Sequence, residues 1–372
     1  MSSRLIPMKT VLILTAGFGE GHNSAARGVK AALELAAPET VKPLVLDLFA
    51  QCHGPMNEWS RKFYLGMINQ TPRVWQWFYE AIDRTKMVEQ TLWMLRSIED
   101  ALVKWVETEQ PFAIVSVYPV YSFLIEKVRA RTGVKFRYST IVTDSITINS
   151  VWYRALSDEF IVANEDTAAV MLRAGLPGER ILPLGFPVTP RFFTEAQVRP
   201  QPSENDRRVL FMINHAKGEA PDLIARLLKI NGLKLEVTVG RDESLRTAVE
   251  KVVRESGREA ILHGWTNEMP LLLMRNHLLI GKAGGATVQE TIAARTPMIV
   301  SKVVPGQEEG NARLLEQNDC GRVVESNEAI AAAVEKLFAE NAAGWRKWNT
   351  NIARLSRPRA ALDIAEHLLQ FA

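Results

Sequence analysis

The stretch that most constrains this chain runs from Gly281 to Asn311, GKAGGATVQETIAARTPMIVSKVVPGQEEGN. It reads as strand, glycine-rich turn, helix, strand, loop and helix. His277 to Ile280 is a short, mostly apolar run, long enough for a buried strand. In Lys282-Ala283-Gly284-Gly285 the missing side chains let the backbone approach a ligand closely. Thr287 to Arg295 has helical spacing, Met298 to Val300 makes the next strand, and Pro305-Gly306-Gln307-Glu308-Glu309-Gly310-Asn311 is a polar loop opening another helix. Open α/β sheets bind ligands over the carboxyl ends of their strands. There this unit offers amide N–H groups, one carboxylate on a helix and a polar loop. That donor set suits a sugar nucleotide, with the diphosphate at the turn and helix N-terminus, the ribose hydroxyls on Glu290, and the hexose hydroxyls on Gln307 and Glu308. A second reading stays open for Glu290. Thr287-Val288-Gln289-Glu290 also spells a capping box, in which the carboxylate only satisfies helix N–H groups.

Lys282-Ala283-Gly284, the helical Glu290 and Pro305-Gly306-Gln307-Glu308 with Gly310-Asn311 together resemble the donor-binding signature of glycosyltransferase family 28. Within that family the resemblance is to the monogalactosyldiacylglycerol synthases and processive diacylglycerol glucosyltransferases. It implies donor-binding roles for Lys282, Gly284, Gly285, Thr287, Glu290, Gln307, Glu308 and Asn311. It also implies an α/β fold of the GT-B type, two Rossmann-like domains facing a central cleft.

Composition bounds the rest. A chain of 372 residues suggests two domains with substantial cores. Hydrophobic content of 47% and charged content of 23% are ordinary for a globular protein. A net charge of +3 announces no nucleic-acid binder. The two cysteines, Cys52 and Cys320, lie far apart and make no metal-ligand spacing, so a reduced cytoplasmic setting is expected. The apolar run Val11 to Leu14 is too short for a signal-peptide core, and no run reaches the ~18 residues of a spanning helix. Membrane contact, if made, is peripheral.

The N-terminal third opens as β-α-β. Thr10 to Thr15 is a strand, Ala16-Gly17-Phe18-Gly19-Glu20-Gly21 a glycine-rich turn, Asn23 to Leu35 a helix and Leu44 to Leu48 a second strand. A dinucleotide fingerprint fails because His22 stands where its third glycine belongs; Asp47 alone is weak evidence for a ribose acid. His22 sits at a helix start, where the dipole disfavours imidazolium and leaves a neutral ring available as a general base. A histidine that caps or packs the helix is the competing reading. Gly19-x-Gly21-His22 followed by Ser24-Ala25-Ala26 looks like the family's N-terminal motif. That likeness implies that His22 deprotonates the acceptor hydroxyl, with Gly19 and Gly21 on the acceptor or phosphate side.

Residues 52 to 105 change character, carrying Trp59, Trp75, Trp77, Trp93 and Trp105 among interleaved basic residues. Such a mix suits either a helix lying in a bilayer interface or an aromatic core under a basic face. The family inserts a membrane-docking segment here, and Pro72-Arg73-Val74-Trp75 resembles its Pro-x-x-Trp step. The resemblance implies an anionic membrane surface met by Trp59, Arg61, Lys62, Phe63, Trp75, Trp77 and Phe78.

Phe112 to Val117, Arg137 to Val142 and Phe160 to Ala163 return to strands. Thr143-Asp144 closes one of them, and Asp144 suits either a turn or the orientation of His22 or the acceptor. Val142-Thr143-Asp144 with Trp152-Tyr153 resembles a family motif that usually carries a histidine where this chain has Asn149. Arg199 to Asp206 is polar and proline-bearing, a linker signature. The expected domains are 1–200 for acceptor and membrane, 207–345 for the donor, and a helical tail over 346–372 that the resemblance sends back to the first domain. Asn214-His215-Ala216-Lys217-Gly218-Glu219 keeps one glycine, Gly218, where relatives have a richer loop facing the diphosphate; His215 or Lys217 is the candidate positive charge. His263-Gly264-Trp265-Thr266-Asn267-Glu268-Met269 resembles the segment whose backbone meets uracil, and Trp265 is otherwise a core or interface aromatic.

The expected enzyme is thus an inverting, UDP-sugar-dependent hexosyltransferase acting on diacylglycerol at the inner face of the cell membrane, with His22 and Asp144 catalytic. No Asp-x-Asp occurs, so no metal is expected, and charge on the departing UDP falls to N–H groups and basic side chains. The alternatives are N-acetylglucosamine transfer to a polyprenyl-linked acceptor, a UDP-sugar epimerase of the same fold, and a non-catalytic binder.

Overall fold

The structure is a computed structural model that describes residues 8–54, 85, 87–304 and 308–372. The membrane-docking candidates Trp59, Arg61, Lys62, Phe63, Trp75, Trp77 and Phe78, and the donor candidate Gln307, lie outside the described residues. The chain divides into two units. The first comprises residues 1–190, 305–310 and 359–372, and the second comprises 191–304 and 311–358.

The first unit is built on a six-stranded parallel sheet, ordered β2-β1-β3-β4-β5-β6. The strands are β1 (Lys9–Thr15), β2 (Val41–Asp47), β3 (Ala113–Ser116), β4 (Arg137–Ile141), β5 (Glu159–Ile161) and β6 (Ile181–Leu182). β1 is buried at every residue after Lys9, as a central parallel strand covered on both faces must be. The helix Glu20–Ala36 packs on β1 and β2 and receives the C-terminal helix Ala360–Leu369. Gly28 makes room for a second contact there, since a Cβ at this position would lie 1.8 Å from the Pro187 carbonyl oxygen. His367 Nε2 sits 3.0 Å from the buried Glu159, tying the tail helix to the far side of the sheet.

The second unit repeats the architecture with the order β12-β11-β10-β7-β8-β9. Its strands are β7 (Arg207–Met212), β8 (Leu233–Gly240), β9 (Ala260–Gly264), β10 (Leu278–Lys282), β11 (Met298–Lys302) and β12 (Gly321–Val323). From β7 the chain runs outward through β8 and β9 on one side and then through β10, β11 and β12 on the other, so the topological switch point lies between β7 and β10. Val209, Phe211, Val237, Leu278, Ile280, Phe338 and Trp345 lie in its buried core.

The polar run after residue 190 is not a free linker. It belongs to the second unit, and Arg199 anchors it. The Arg199 guanidinium donates to the carbonyls of Leu273, Met274, Ala294 and Arg295 and to Thr296 Oγ1. His277 Nε2 adds a contact of 2.8 Å to the Pro200 carbonyl. Four carbonyls at two helix ends are thereby satisfied by one side chain, a helix-terminal arrangement that favours a cation.

Candidate active site

In the first unit the carboxyl ends of β1, β3 and β4 converge on His22. Asp47, at the end of β2, accepts from Gly17 N and Ala50 N, each at 2.9 Å, and so holds the glycine turn closed. Tyr121 Oη donates to Thr15 O at 2.9 Å and accepts from Leu48 N at 3.1 Å, tying the ends of β1 and β2. The turn delivers the chain into the Glu20–Ala36 helix, whose N-cap Gly19 is extended and makes no side-chain cap. His22 is the third residue of that helix.

His22 Nδ1 lies 2.7 Å from the carbonyl oxygen of Val117 and 3.0 Å from Thr143 Oγ1. A carbonyl can only accept, so Nδ1 carries the proton and Nε2 keeps its lone pair. Burial lowers the His22 pKa to about 4, opposed by the Val117 contact. The ring is therefore neutral at physiological pH, with a defined basic nitrogen, as a general base requires.

Aromatic side chains surround it. The Tyr118 ring meets His22 edge-on at 5.2 Å, and the Trp152 ring lies at 5.9 Å. Phe18 and Phe49 pack on Tyr118 at 5.9 and 5.5 Å. Burial, with Asp47 nearby, pushes the Tyr118 phenol well above its usual range, so it stays a neutral wall. The Trp152 indole donates to Asp144 Oδ2 at 2.8 Å. Thr143 is thus the side chain at His22 Nδ1, and Asp144 is held by Trp152. Asn149 is buried and accepts from Val151 N at 3.0 Å, capping the turn that carries Trp152. Gly19 and Gly21 flank the helix start, half-exposed.

In the second unit the helix after β10 begins at Gly285, with Gly284 as an N-cap lacking any side-chain bond. Thr287 is therefore the third helical residue and cannot be the N-cap, which removes the capping-box reading of Glu290. Thr287 instead accepts, through its carbonyl, from Thr291 Oγ1. Glu290 is half-buried on the following turn. Asn311 is buried, and its Nδ2 donates to Ala283 O at 3.1 Å beside the helix start. Among the described residues its Oδ1 is buried without a hydrogen-bond partner, an acceptor that a ligand hydroxyl would satisfy. Glu308 is buried and is grouped with the first unit.

The loop after β7 differs from expectation in its charge. Lys217 is exposed and paired with Asp242 at 2.6 Å. His215 Nε2 lies 3.3 Å from Ser301 Oγ, and its pKa falls to about 4 through burial and the nearby Lys282 and Lys302. The ring is neutral and adds no positive charge beside Lys282 and Lys302. Gly218 is exposed, with open space around it. Trp265 is no core residue. It is 58% exposed, with the Arg241 guanidinium 4.7 Å from its ring centroid.

Two residues of the site carried no signal in the sequence. Val117 acts through its backbone carbonyl, to which side-chain type gives no clue. Lys302 is paired with Lys282 only through a register shift between β10 and β11. For Thr143 and Tyr118 a usable signal existed, since each directly follows a strand in the sheet that bears His22.

Two parallel six-stranded sheets with flanking helices place the chain in the GT-B fold class. The chain carries two family domains: residues 22–188 match the monogalactosyldiacylglycerol (MGDG) synthase model, and residues 213–361 match the glycosyltransferase family 28 C-terminal domain. A processive diacylglycerol beta-glucosyltransferase of Bacillus cytotoxicus is 24% identical over 98% of this chain and 95% of its own length. One from Bacillus mycoides is 24% identical over 91% and 87%. Among solved structures, MurG of Acinetobacter baumannii superposes with a TM-score of 0.62 at 12% identity, covering 97% of this chain and 99% of its own. A UDP-GlcNAc 2-epimerase of Neisseria meningitidis gives 0.61 at 13%, covering 98% and 100%. These distant structural likenesses speak to the fold alone. No helix among the described residues is long and apolar enough to cross a membrane.

Proposed function

We propose that this enzyme transfers a hexose, glucose in the first instance, from a UDP-sugar to the free hydroxyl of diacylglycerol with inversion, giving a β-linked glycolipid. The observation that carries the reading is the neutral His22, whose Nδ1 proton is held by Val117 and whose Nε2 is left basic. In the reaction Nε2 takes the acceptor proton. The acceptor oxygen attacks the anomeric carbon, and the nucleoside diphosphate leaves from the opposite face. The aromatic wall of Phe18, Phe49 and Tyr118 beside His22 suits an acceptor that is apolar apart from its hydroxyl. The relatives' names point the same way.

On the donor side Glu290 is the ribose candidate, with Asn311 and Glu308 toward the hexose and the segment around Trp265 toward the base. Backbone N–H groups and lysines take the place of a metal in stabilising the diphosphate. The enzyme works at the face of an anionic membrane without spanning it, and so meets a lipid acceptor from the cytoplasmic side.

The reading is tested with His22→Ala. Loss of a general base lowers turnover by ~10²-fold or more, while UDP binding stays close to wild type. Turnover near wild type would remove His22 from the mechanism. An epimerase of the same fold would turn over its UDP-sugar without any lipid.

A further inference from the structure

We propose that Thr143 is a positioning residue for the base: its hydroxyl and the Val117 carbonyl together hold the His22 ring and carry the charge the ring acquires during transfer. This rests on the assignment of His22 as the base and adds a residue to it. Thr143 Oγ1 lies 3.0 Å from His22 Nδ1, and Val117 O lies 2.7 Å from the same atom. Val117 directly follows β3, and Thr143 follows β4 after one residue; the two strands are paired neighbours. Adjacent strands thus each deliver one oxygen to one ring nitrogen, while the helix that begins at Glu20 delivers the ring.

The two oxygens have defined roles. Val117 O can only accept, so Nδ1 carries the proton, and the Thr143 oxygen facing that N–H accepts as well. A single acceptor leaves the ring free to pivot about one hydrogen bond. A second acceptor, off that axis, sets the ring plane and with it the direction of Nε2. Thr143 suits the task. It is buried, and its β-branched side chain is stiff at χ1. A hydroxyl is costly to bury without a hydrogen bond, and among the described residues His22 is the partner of this one. The neighbouring carboxylate is engaged by the aromatic wall, since Asp144 Oδ2 accepts from Trp152 Nε1 at 2.8 Å.

In the transfer step the acceptor O–H bond breaks and its proton goes to Nε2. The electron pair stays on the acceptor oxygen, which forms the bond to the anomeric carbon as the bond from that carbon to the diphosphate oxygen breaks. The ring becomes imidazolium, and both contacts of Nδ1–H become charge-assisted. They are stronger in the transition state than in the ground state, so losing one lowers turnover rather than substrate binding.

The test measures kcat and KM of the full chain for UDP-glucose with diacylglycerol in vesicles, in wild type, Thr143→Val and Thr143→Ser, and repeats the valine substitution in the His22→Ala background. Valine keeps the shape of threonine and removes the hydroxyl; thermal unfolding checks that the variant folds, and Thr143→Ala takes its place if it does not. The expected result is a fall of about tenfold in kcat for Thr143→Val, the size of one hydrogen bond to a charged group. KM for UDP-glucose should be unchanged, and Thr143→Ser should recover most of the loss. The double variant should be about as slow as His22→Ala alone, because the hydroxyl then has no ring to act on. A wild-type kcat in Thr143→Val, or a serine variant as slow as the valine one, would overturn the proposal and leave His22 as the base. An equal fractional loss with and without His22 would make Thr143 merely structural. Wild-type turnover in His22→Ala would sink both assignments.

Discussion

His22 Nδ1 lies 2.7 Å from the Val117 carbonyl oxygen, across the point where the first sheet reverses its strand order between β1 and β3. This one contact decides which nitrogen of the ring is basic. A backbone carbonyl cannot change protonation state, so the tautomer is set by the fold. In many acid–base sites a carboxylate orients the histidine; here the nearby carboxylate, Asp144, accepts from the Trp152 indole.

The pH–rate profile should reflect that setting. A His22 pKa of about 4 means the base stays unprotonated well below neutrality. The acid limb of kcat/KM should therefore not bend near 6.5, the ordinary histidine value. Activity should hold to about pH 5 as far as this group is concerned and fall toward 4. A half-maximal rate near pH 6.5 that disappears on substituting His22 would contradict the assignment.

Stability should fall with acid over a defined window. His22, His215 and His277 all have folded pKa values lowered from 6.5 to about 4 by burial. Between those values the unfolded chain binds protons that the folded chain does not, so stability is full above pH 6.5 and lost as pH falls toward 4. A fully buried group contributes a slope of up to ~1.4 kcal/mol per pH unit inside the window, and the half-buried His215 contributes less. His277 makes the sign concrete: its Nδ1 accepts from Arg208 N at 2.9 Å, a bond that protonation abolishes. Urea midpoints measured from pH 4.5 to 8 should rise steeply to about 6.5. A flat curve over pH 4.5–6.5 would show that these rings are not buried in the neutral form.

Gly28→Ala separates helix propensity from packing. Alanine is favoured over glycine in a helix interior by ~1 kcal/mol. The new Cβ would sit 1.8 Å from the Pro187 carbonyl oxygen, a backbone atom that cannot swing aside as a side chain can. Overpacking of that kind costs ~1–3 kcal/mol or more, so packing should win and the variant should unfold at lower urea. A gain in stability would mean that the 185–188 segment gives way freely.

The sequence was most informative where residue type and spacing are themselves the device. The glycine turn before His22, the run around Lys282-Ala283-Gly284 and the alternation of strands with helices were legible for that reason. The start of the helix at Gly285 was not, because Thr287-Val288-Gln289-Glu290 carries a capping signature while the true N-cap, Gly284, carries none. Arg199 sits in a polar, proline-bearing run that reads as linker, and only the fold brings four carbonyls around it. Lys302 meets Lys282 only through a register shift, and Val117 enters the site through its carbonyl. Contributions made by backbone atoms or by non-local pairing leave no local mark in a sequence.

The most direct test of the account is UDP release by the purified chain mixed with diacylglycerol in anionic vesicles, supplied in turn with UDP-glucose, UDP-galactose and UDP-N-acetylglucosamine. Release should require both a UDP-hexose and the lipid, with UDP-glucose the most effective donor and a β-glycosyl diacylglycerol as product. UDP release or sugar conversion that proceeds equally well without lipid would contradict it.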